Sequence, residues 1–563
     1  MMLRKMILRN PTVLALTAAL ATAAAPLPPT PSNGGTSTNA GRCTFQKPFV
    51  HPLQQPYWNG WGASVTQARF QSAQMARLTP EEVPRLKLKW AFGFPGAHRA
   101  YGQPAVVGGR VFVGSENGNV YSLDAQTGCE YWSFDAGFPV RTAVTVGPYR
   151  GGWAAYFGDQ HATAFAVDAE TGKLLWRTVL DQHPAAVVTG APALAGRSLF
   201  VPMSSYEELI GANPSYQCCK FRGSISAVDA LTGRIVWKTY AIAQSPHRDR
   251  KNKIGTQLWG PAGAAIWSSP TIDTKRHLLY AATGNDYADP ATSRSDAIIA
   301  FDLNTGNVRW TRQMTAHDAR TIDCDFPSAM QTNCPAEHGP DFDFGSSPIL
   351  VELPNDRSAL IAGQKSGVIY ALDPDRRGAL LWQRRVGTGG SLGGVQWGSA
   401  ADNMRTYVAV SDVRLKPAEA GTAGAQPVMG MGYLVFDPAV GGGLFALDLA
   451  TGRIDWQTPH PGCNSRPGCS PAQSAAVTAI PGVVFSAGLD GHLRAYSTAG
   501  GQIIWDLDTE QDFQTINAVK ANGGSIDGPG PIVVDGMVLL NSGSSFLGAT
   551  PGNVLLAFSK DGH

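Results

Sequence analysis

A segment of the form A-x-D-x-x-x-G-x-x-x-W recurs along this chain and constrains its fold more than any other feature. It reads Ser122-Leu123-Asp124…Gly128…Trp132, Ala166-Val167-Asp168…Gly172…Trp176, Ala227-Val228-Asp229…Gly233…Trp237, Ala300-Phe301-Asp302…Gly306…Trp310 and Ala446-Leu447-Asp448…Gly452…Trp456. Two looser copies end at Trp382, with one extra residue, and at Trp505, with Ser497 in place of Asp. A repeat spaced by roughly 40–75 residues describes propeller blades or solenoid turns rather than unrelated domains.

Each copy predicts a β-hairpin. An apolar strand leads into a D-x-x-T-G-like turn, where Asp can accept backbone amides and Gly supplies positive φ. A second strand then ends in Trp, a flat ring suited to wedging between neighbouring sheets. The last copy, Ala557 to His563, stops before its Trp, whereas Leu86-Lys87-Leu88-Lys89-Trp90 is a Trp strand without its turn. The two halves complete one blade. The expectation is an all-β, eight-bladed β-propeller with tryptophan-docking repeats, closed by pairing of the N- and C-terminal strands, which leaves few free sheet edges.

A formal charge of +2 gives no reason to expect nucleic acid or an anionic membrane as partner. The N-terminus reads as a secretory signal over residues 1–24. Arg4, Lys5 and Arg9 precede a short Ala- and Leu-rich stretch and then small residues at a cleavage site. That stretch is too short to span a membrane. A polar, Pro-rich disordered linker is expected over 25–44, and the propeller over 45–563. Eight cysteines suit an oxidising compartment. Cys324 with Cys334 and Cys463 with Cys469 flank short loops and are expected disulfides, which leaves Cys43 and Cys129 to pair by elimination. The adjacent Cys218 and Cys219 either bond each other through a strained eight-membered ring or pair elsewhere or stay free. There is no C-x-x-C-H segment for covalent haem.

Three stretches between the repeat turns carry carboxylate and amide oxygens suited to a hard cation. They are Ser204-Ser205-Tyr206-Glu207-Glu208, Thr283-Gly284-Asn285-Asp286 and Thr315-Ala316-His317-Asp318. The repeat together with these segments resembles the pyrroloquinoline quinone (PQQ) dependent alcohol dehydrogenases, and within them the polyvinyl alcohol dehydrogenases, over roughly residues 45–563. The repeat alone is shared with non-enzymatic propellers of the BamB type. In the family a T-x-A-P segment lies 18 positions before the metal-binding Glu; Thr189-Gly190-Ala191-Pro192 leads at that spacing to Glu207, with Glu208 as the alternative. The resemblance further implies Asn285 as metal ligand, Trp267 as the ring under the quinone, and Asp318 as metal ligand and catalytic base, with Ala316 in place of the family's Pro. It also implies Lys365 at the quinone oxygens, with Arg141, Thr189 and Ser204 as further cofactor contacts. Cys218 and Cys219 lie one blade later than the family's vicinal disulfide. They are either a cofactor contact or a structural staple.

The activity so implied is oxidation of alcohol groups, secondary ones and those of a polymer such as polyvinyl alcohol among them, with PQQ and Ca2+ as cofactors. Asp318 takes the hydroxyl proton, and electrons leave to a separate periplasmic cytochrome c. The Ile322–Phe344 insertion is placed to form one wall of the substrate groove. The rival expectation is a non-catalytic, BamB-like scaffold or ligand-sensing propeller.

Overall fold

The computed structural model describes residues 40–563 other than 355–356, 429–430, 465 and 546–547. The expected signal peptide and most of the expected linker lie outside the described residues. The chain is tied down before residue 45: Glu130 N–H donates to Gly41 O, and Cys43 is bonded to Cys129. The other three disulfides are Cys218–Cys219, Cys324–Cys334 and Cys463–Cys469.

The structure is all β. Among the described residues, eight antiparallel sheets have four or more strands, and seven of them are built from strands in ascending chain order. The eighth joins the chain ends: Leu86–Gly93 pairs with Val554–Lys560, beside Met537–Ser542 and Ile532–Val534. In each sheet the repeat Trp sits on the edge strand. It lies within the strand rather than at its end, as with Trp132 in Glu130–Asp135.

The turn chemistry is the one the sequence demands. One carboxylate oxygen each of Asp124, Asp168, Asp229 and Asp302 accepts the N–H groups two and three residues ahead. The repeat glycine is required twice. Gly128, Gly172 and Gly233 have φ of +73°, +74° and +73°. A Cβ on them would also stand 2.7–2.8 Å from the ring of Trp90, Trp132 or Trp176 in the preceding sheet. The indole N–H of each of these rings then donates to the carbonyl after the repeat Asp: Trp90 to Ala125 at 3.0 Å, Trp132 to Ala169 at 3.2 Å, Trp176 to Ala230 at 2.9 Å.

Trp310 differs from these rings. It packs on Gly378 of the copy with the extra residue, where Pro374–Arg376 form a 3-10 turn, and among the described residues its buried Nε1 has no acceptor. Replacing it therefore removes no hydrogen bond. Trp310→Phe is expected to cost about 1–2 kcal/mol less than Trp132→Phe, which strands the Ala169 carbonyl. Chemical denaturation of the two variants checks this, and equal losses would contradict it.

What lies against the innermost strands was not legible in the repeat. Residues 58–71 run past one inner strand after another. Trp58 bridges Val106, Asn59 bonds Val146, and the carbonyls of Val65, Thr66 and Ala68 accept from Ile272, Leu350 and Ala401. The wholly buried Arg69 donates to Trp61 O, Val477 O and Pro531 O. Burial pulls its pKa down to about 9.

Candidate active site

In a four-stranded meander the connections alternate between two edges of the sheet. The repeat Asp turns join third to fourth strands. The segments that follow second strands, and those that lead into the next sheet, emerge at the opposite edge. Glu207 and Glu208 follow Ser198–Ser205, Asn285 follows Leu278–Ala282, and Lys365 lies between Ser358–Gly363 and Val368–Asp373. The stretch between Val308–Gln313 and Ile349–Glu352 adds Asp318, Asp341 and Asp343.

Lys365 is the centre of the site. Its buried Nζ stands 3.0 Å from Asp341 Oδ1 and 3.0 Å from Asp343 Oδ2. Burial alone would drive its pKa down, but Asp341, Asp343 and Glu208 outweigh it and hold the ammonium above the ordinary lysine range. Glu208 is pushed up to about 7 by burial and then by Asp343, against the pull of Lys365 and Arg320. Asp341 is raised well above the carboxylate range by burial, against Lys365, with Asp343 and Glu208 adding to the rise. Three carboxyl groups thus share one ammonium.

Asn285 closes the cluster. Its backbone N–H donates to Asp343 Oδ1 at 2.7 Å, and its Nδ2 donates to Asp286 O and Arg320 O at 2.9 and 3.0 Å. The side-chain amide is therefore oriented, and among the described residues its Oδ1 accepts nothing. Gly284 is needed beside it, because a Cβ there would lie 2.6 Å from Asp343 Oδ1.

A cleft adjoins the cluster, lined by Trp61, Tyr101, Arg141, Thr189, Trp267 and Trp397 among others. Lys365 Nζ is 5.6 Å from the Trp267 ring centre, and the Trp397 ring meets Trp267 edge-on at 5.2 Å. Trp267 owes its position to Gly345, where a Cβ would collide with the indole. Thr189 Oγ1 donates to Trp267 O at 3.4 Å. Arg141 lies 4.5 Å over Trp397 and has no ion-pair partner among the described residues. Asp527, whose charge it feels, is engaged by Trp397 Nε1 and Ser474 Oγ. Ser204 is buried opposite Val187 and does not line this cleft.

Glu207, Asp318, Cys218 and Cys219 make other contacts. Glu207 is fully buried and its oxygens are taken by Tyr216 OH at 2.9 Å, Lys220 N at 2.9 and 3.0 Å and Phe221 N at 2.7 Å. It anchors the loop that holds Cys218–Cys219. Its neighbour, one step around the short helix Glu207–Ile210, faces the acidic cluster instead. Asp318 does not meet Lys365. Its oxygens accept Asp341 N–H at 3.1 Å and Phe342 N–H at 2.8 Å, so it clamps the backbone that presents the two aspartates. Near it lies Asp296, fully buried, whose oxygens accept no hydrogen bond among the described residues. Burial and then the charge of Asp318 hold its carboxyl well above the usual carboxylate range. The Cys218–Cys219 disulfide is buried, bonded through its backbone to Trp259, and does not line the Trp267 cleft.

Asp341 and Asp343 were missed in the sequence because they end the Ile322–Phe344 insertion, which reads as a rim loop. The signal was present as Asp341-Phe342-Asp343, two acids flanking an aromatic ring directly before the next sheet.

The family model described as PQQ_2, outer membrane protein assembly factor BamB, matches residues 79–319, 365–511 and 441–563. The chain is 43% identical over 548 residues to a polyvinylalcohol dehydrogenase of Pseudomonas sp, covering 94% of this chain and 81% of that protein. It is 40% identical over 546 residues to a polyvinylalcohol dehydrogenase of Sphingopyxis sp. (strain 113P3), covering 94% and 80%. Among solved structures, a quinohemoprotein alcohol dehydrogenase of Pseudomonas putida shares the fold, with a TM-score of 0.67 at 18% identity over 91% of this chain and 81% of that one. The chain belongs to the polyvinyl alcohol dehydrogenases, within the PQQ-dependent alcohol dehydrogenase family.

Proposed function

We propose that this protein is a periplasmic quinoprotein that oxidises secondary hydroxyl groups, those of polyvinyl alcohol foremost, with PQQ and Ca2+, and passes electrons to a separate cytochrome c. In this reading the eight sheets are the blades of one ring closed by the pairing of Leu86–Gly93 with Val554–Lys560. The observation that carries the proposal is the buried Lys365 held among Glu208, Asp341 and Asp343 beside an indole-floored cleft. A scaffold would have no use for so costly a cluster.

The residues fit both groups. Arg141, without an acidic partner among the described residues, suits a carboxylate of PQQ. The open Asn285 Oδ1 and the oxygens of Glu208 and Asp343 are hard donors of the kind calcium takes. When bound, PQQ supplies a two-electron oxidant and calcium a Lewis acid. Asp341 is the general base. Its Oδ1 is held by Lys365, while its Oδ2 accepts no hydrogen bond among the described residues and is free to take the hydroxyl proton. Lys365 stabilises negative charge that develops beside it. Trp267 and Thr189 shape the cleft, and Asp318 keeps Asp341 and Asp343 in place.

Dye reduction by the purified protein tests the reading, with polyvinyl alcohol and small secondary alcohols as substrates. Turnover is expected only when PQQ and calcium are both supplied. Turnover without either would contradict it.

A further inference from the structure

A hairpin of His247–Lys251 and Gln257–Gly260 lies in the connection between Ile235–Tyr240 and Thr271–Asp273, at the same sheet edge as Lys365. It is strongly basic. Arg248, Arg250, Lys251 and Lys253 fall within seven residues against Asp249 alone, in a chain whose formal charge is only +2. Folding leaves this charge largely uncompensated. Arg248, Lys251 and Lys253 are exposed, and among the described residues none of the three pairs with a carboxylate. Arg248 lies over the Trp259 ring at 5.8 Å, and Lys253 Nζ donates to Ser328 O at 3.2 Å. Arg250 meets acids only at 3.7 Å and beyond.

The hairpin is a fixed platform. Asn252 Nδ2 donates to Pro214 O and Asn333 Oδ1, Arg250 donates to Cys334 O, and Trp259 pairs through its backbone with Cys218 and Cys219. Large apolar side chains stand exposed on the same connected segments. Ile254 at the hairpin tip is 62% exposed, Leu209 52% and Met330 40%. Apolar groups edged by unpaired cations, at the sheet edge that also carries Lys365, have the make-up of a transient protein interface.

Resting on the proposed function, we infer that this basic hairpin is where the electron-accepting protein docks. The fitting partner is a small electron carrier with an acidic rim around the exposed apolar edge of its redox centre. The cations steer it to the face from which electrons leave, and Ile254, Leu209 and Met330 seat it.

Reduction of one acidic and one basic c-type cytochrome by enzyme loaded with PQQ and calcium tests this, at low and high salt, beside a small-molecule dye. At low salt kcat/KM for the acidic cytochrome is expected to exceed that for the basic one by about tenfold or more, and to fall steeply with salt. The triple variant Arg248→Glu, Lys251→Glu, Lys253→Glu should erase the difference, weaken direct binding of the acidic cytochrome to the immobilised enzyme, and leave dye turnover within about twofold. Wild-type enzyme that reduces the dye but shows no preference between the cytochromes overturns the inference. So does a variant that keeps the preference, or one that loses dye turnover as well, since the hairpin would then serve the site itself. Failure of wild-type enzyme to reduce the dye at all strikes the quinoprotein reading instead.

Discussion

Asp341→Asn is expected to lower dye-coupled alcohol oxidation by about 10²–10⁴-fold, the contribution typical of a positioned general base. The substitution is nearly isosteric and keeps an oxygen for Lys365 Nζ, which stands 3.0 Å from Asp341 Oδ1. What it removes is the basic oxygen that Lys365 leaves unbonded. Cofactor affinity should change far less than turnover, because Arg141, Trp267 and Asn285 are untouched. Asp318→Asn separates the two roles. Asp318 holds the backbone N–H groups of Asp341 and Phe342 and does not reach Lys365, so its loss should act through misplacement of the base. Steady-state kinetics with a small secondary alcohol distinguishes them. An Asp341→Asn enzyme with near-normal kcat, beside an inactive Asp318→Asn enzyme, would restore Asp318 to the base role that the sequence first suggested.

The second large effect sets two adjacent glutamates against each other. Glu208→Gln should weaken calcium binding by more than about tenfold, since a hard cation loses a charged oxygen, with little loss of stability because Glu208 accepts no hydrogen bond among the described residues. Glu207→Gln should do the reverse. The amide presents an NH2 group where the buried carboxylate received Tyr216 OH and the N–H groups of Lys220 and Phe221. The expected cost is about 1–3 kcal/mol of stability, with calcium affinity largely kept. Calorimetric calcium titration and thermal unfolding of both variants check the pair. Calcium binding lost in Glu207→Gln and kept in Glu208→Gln would reverse the assignment.

These two cases mark where the sequence stopped being readable. The architecture was legible because its cause is local: Asp, Gly and Trp at fixed offsets make the same turn and the same ring contact in each copy. Even the imperfect copy keeps the ring contact, since Trp310 packs on its Gly378. Lys365, Asn285, Trp267 and Arg141 also converge on one region, because each is fixed by its place relative to a strand. The choice between Glu207 and Glu208 was beyond sequence spacing. Adjacent residues on a helical turn point in different directions, and the loop donors that claim Glu207 lie 9 to 14 residues further on. Asp341 and Asp343 were hidden for a different reason. They are delivered by an insertion whose path depends on the Cys324–Cys334 disulfide and on Asp318 capping its far end. The segment 58–71 was invisible because its partners are the inner strands of different sheets, spread along the whole chain.

The central claim is that the Lys365 cluster and the cleft beside it form a quinone and cation site. Titration of the cofactor-free protein with PQQ, followed by quenching of tryptophan emission with and without calcium, tests it most directly. Saturable quenching that tightens with calcium, and loses that tightening in Glu208→Gln, is the predicted result. PQQ that fails to bind, or binds equally well with calcium removed and with Lys365→Ala, would contradict the account.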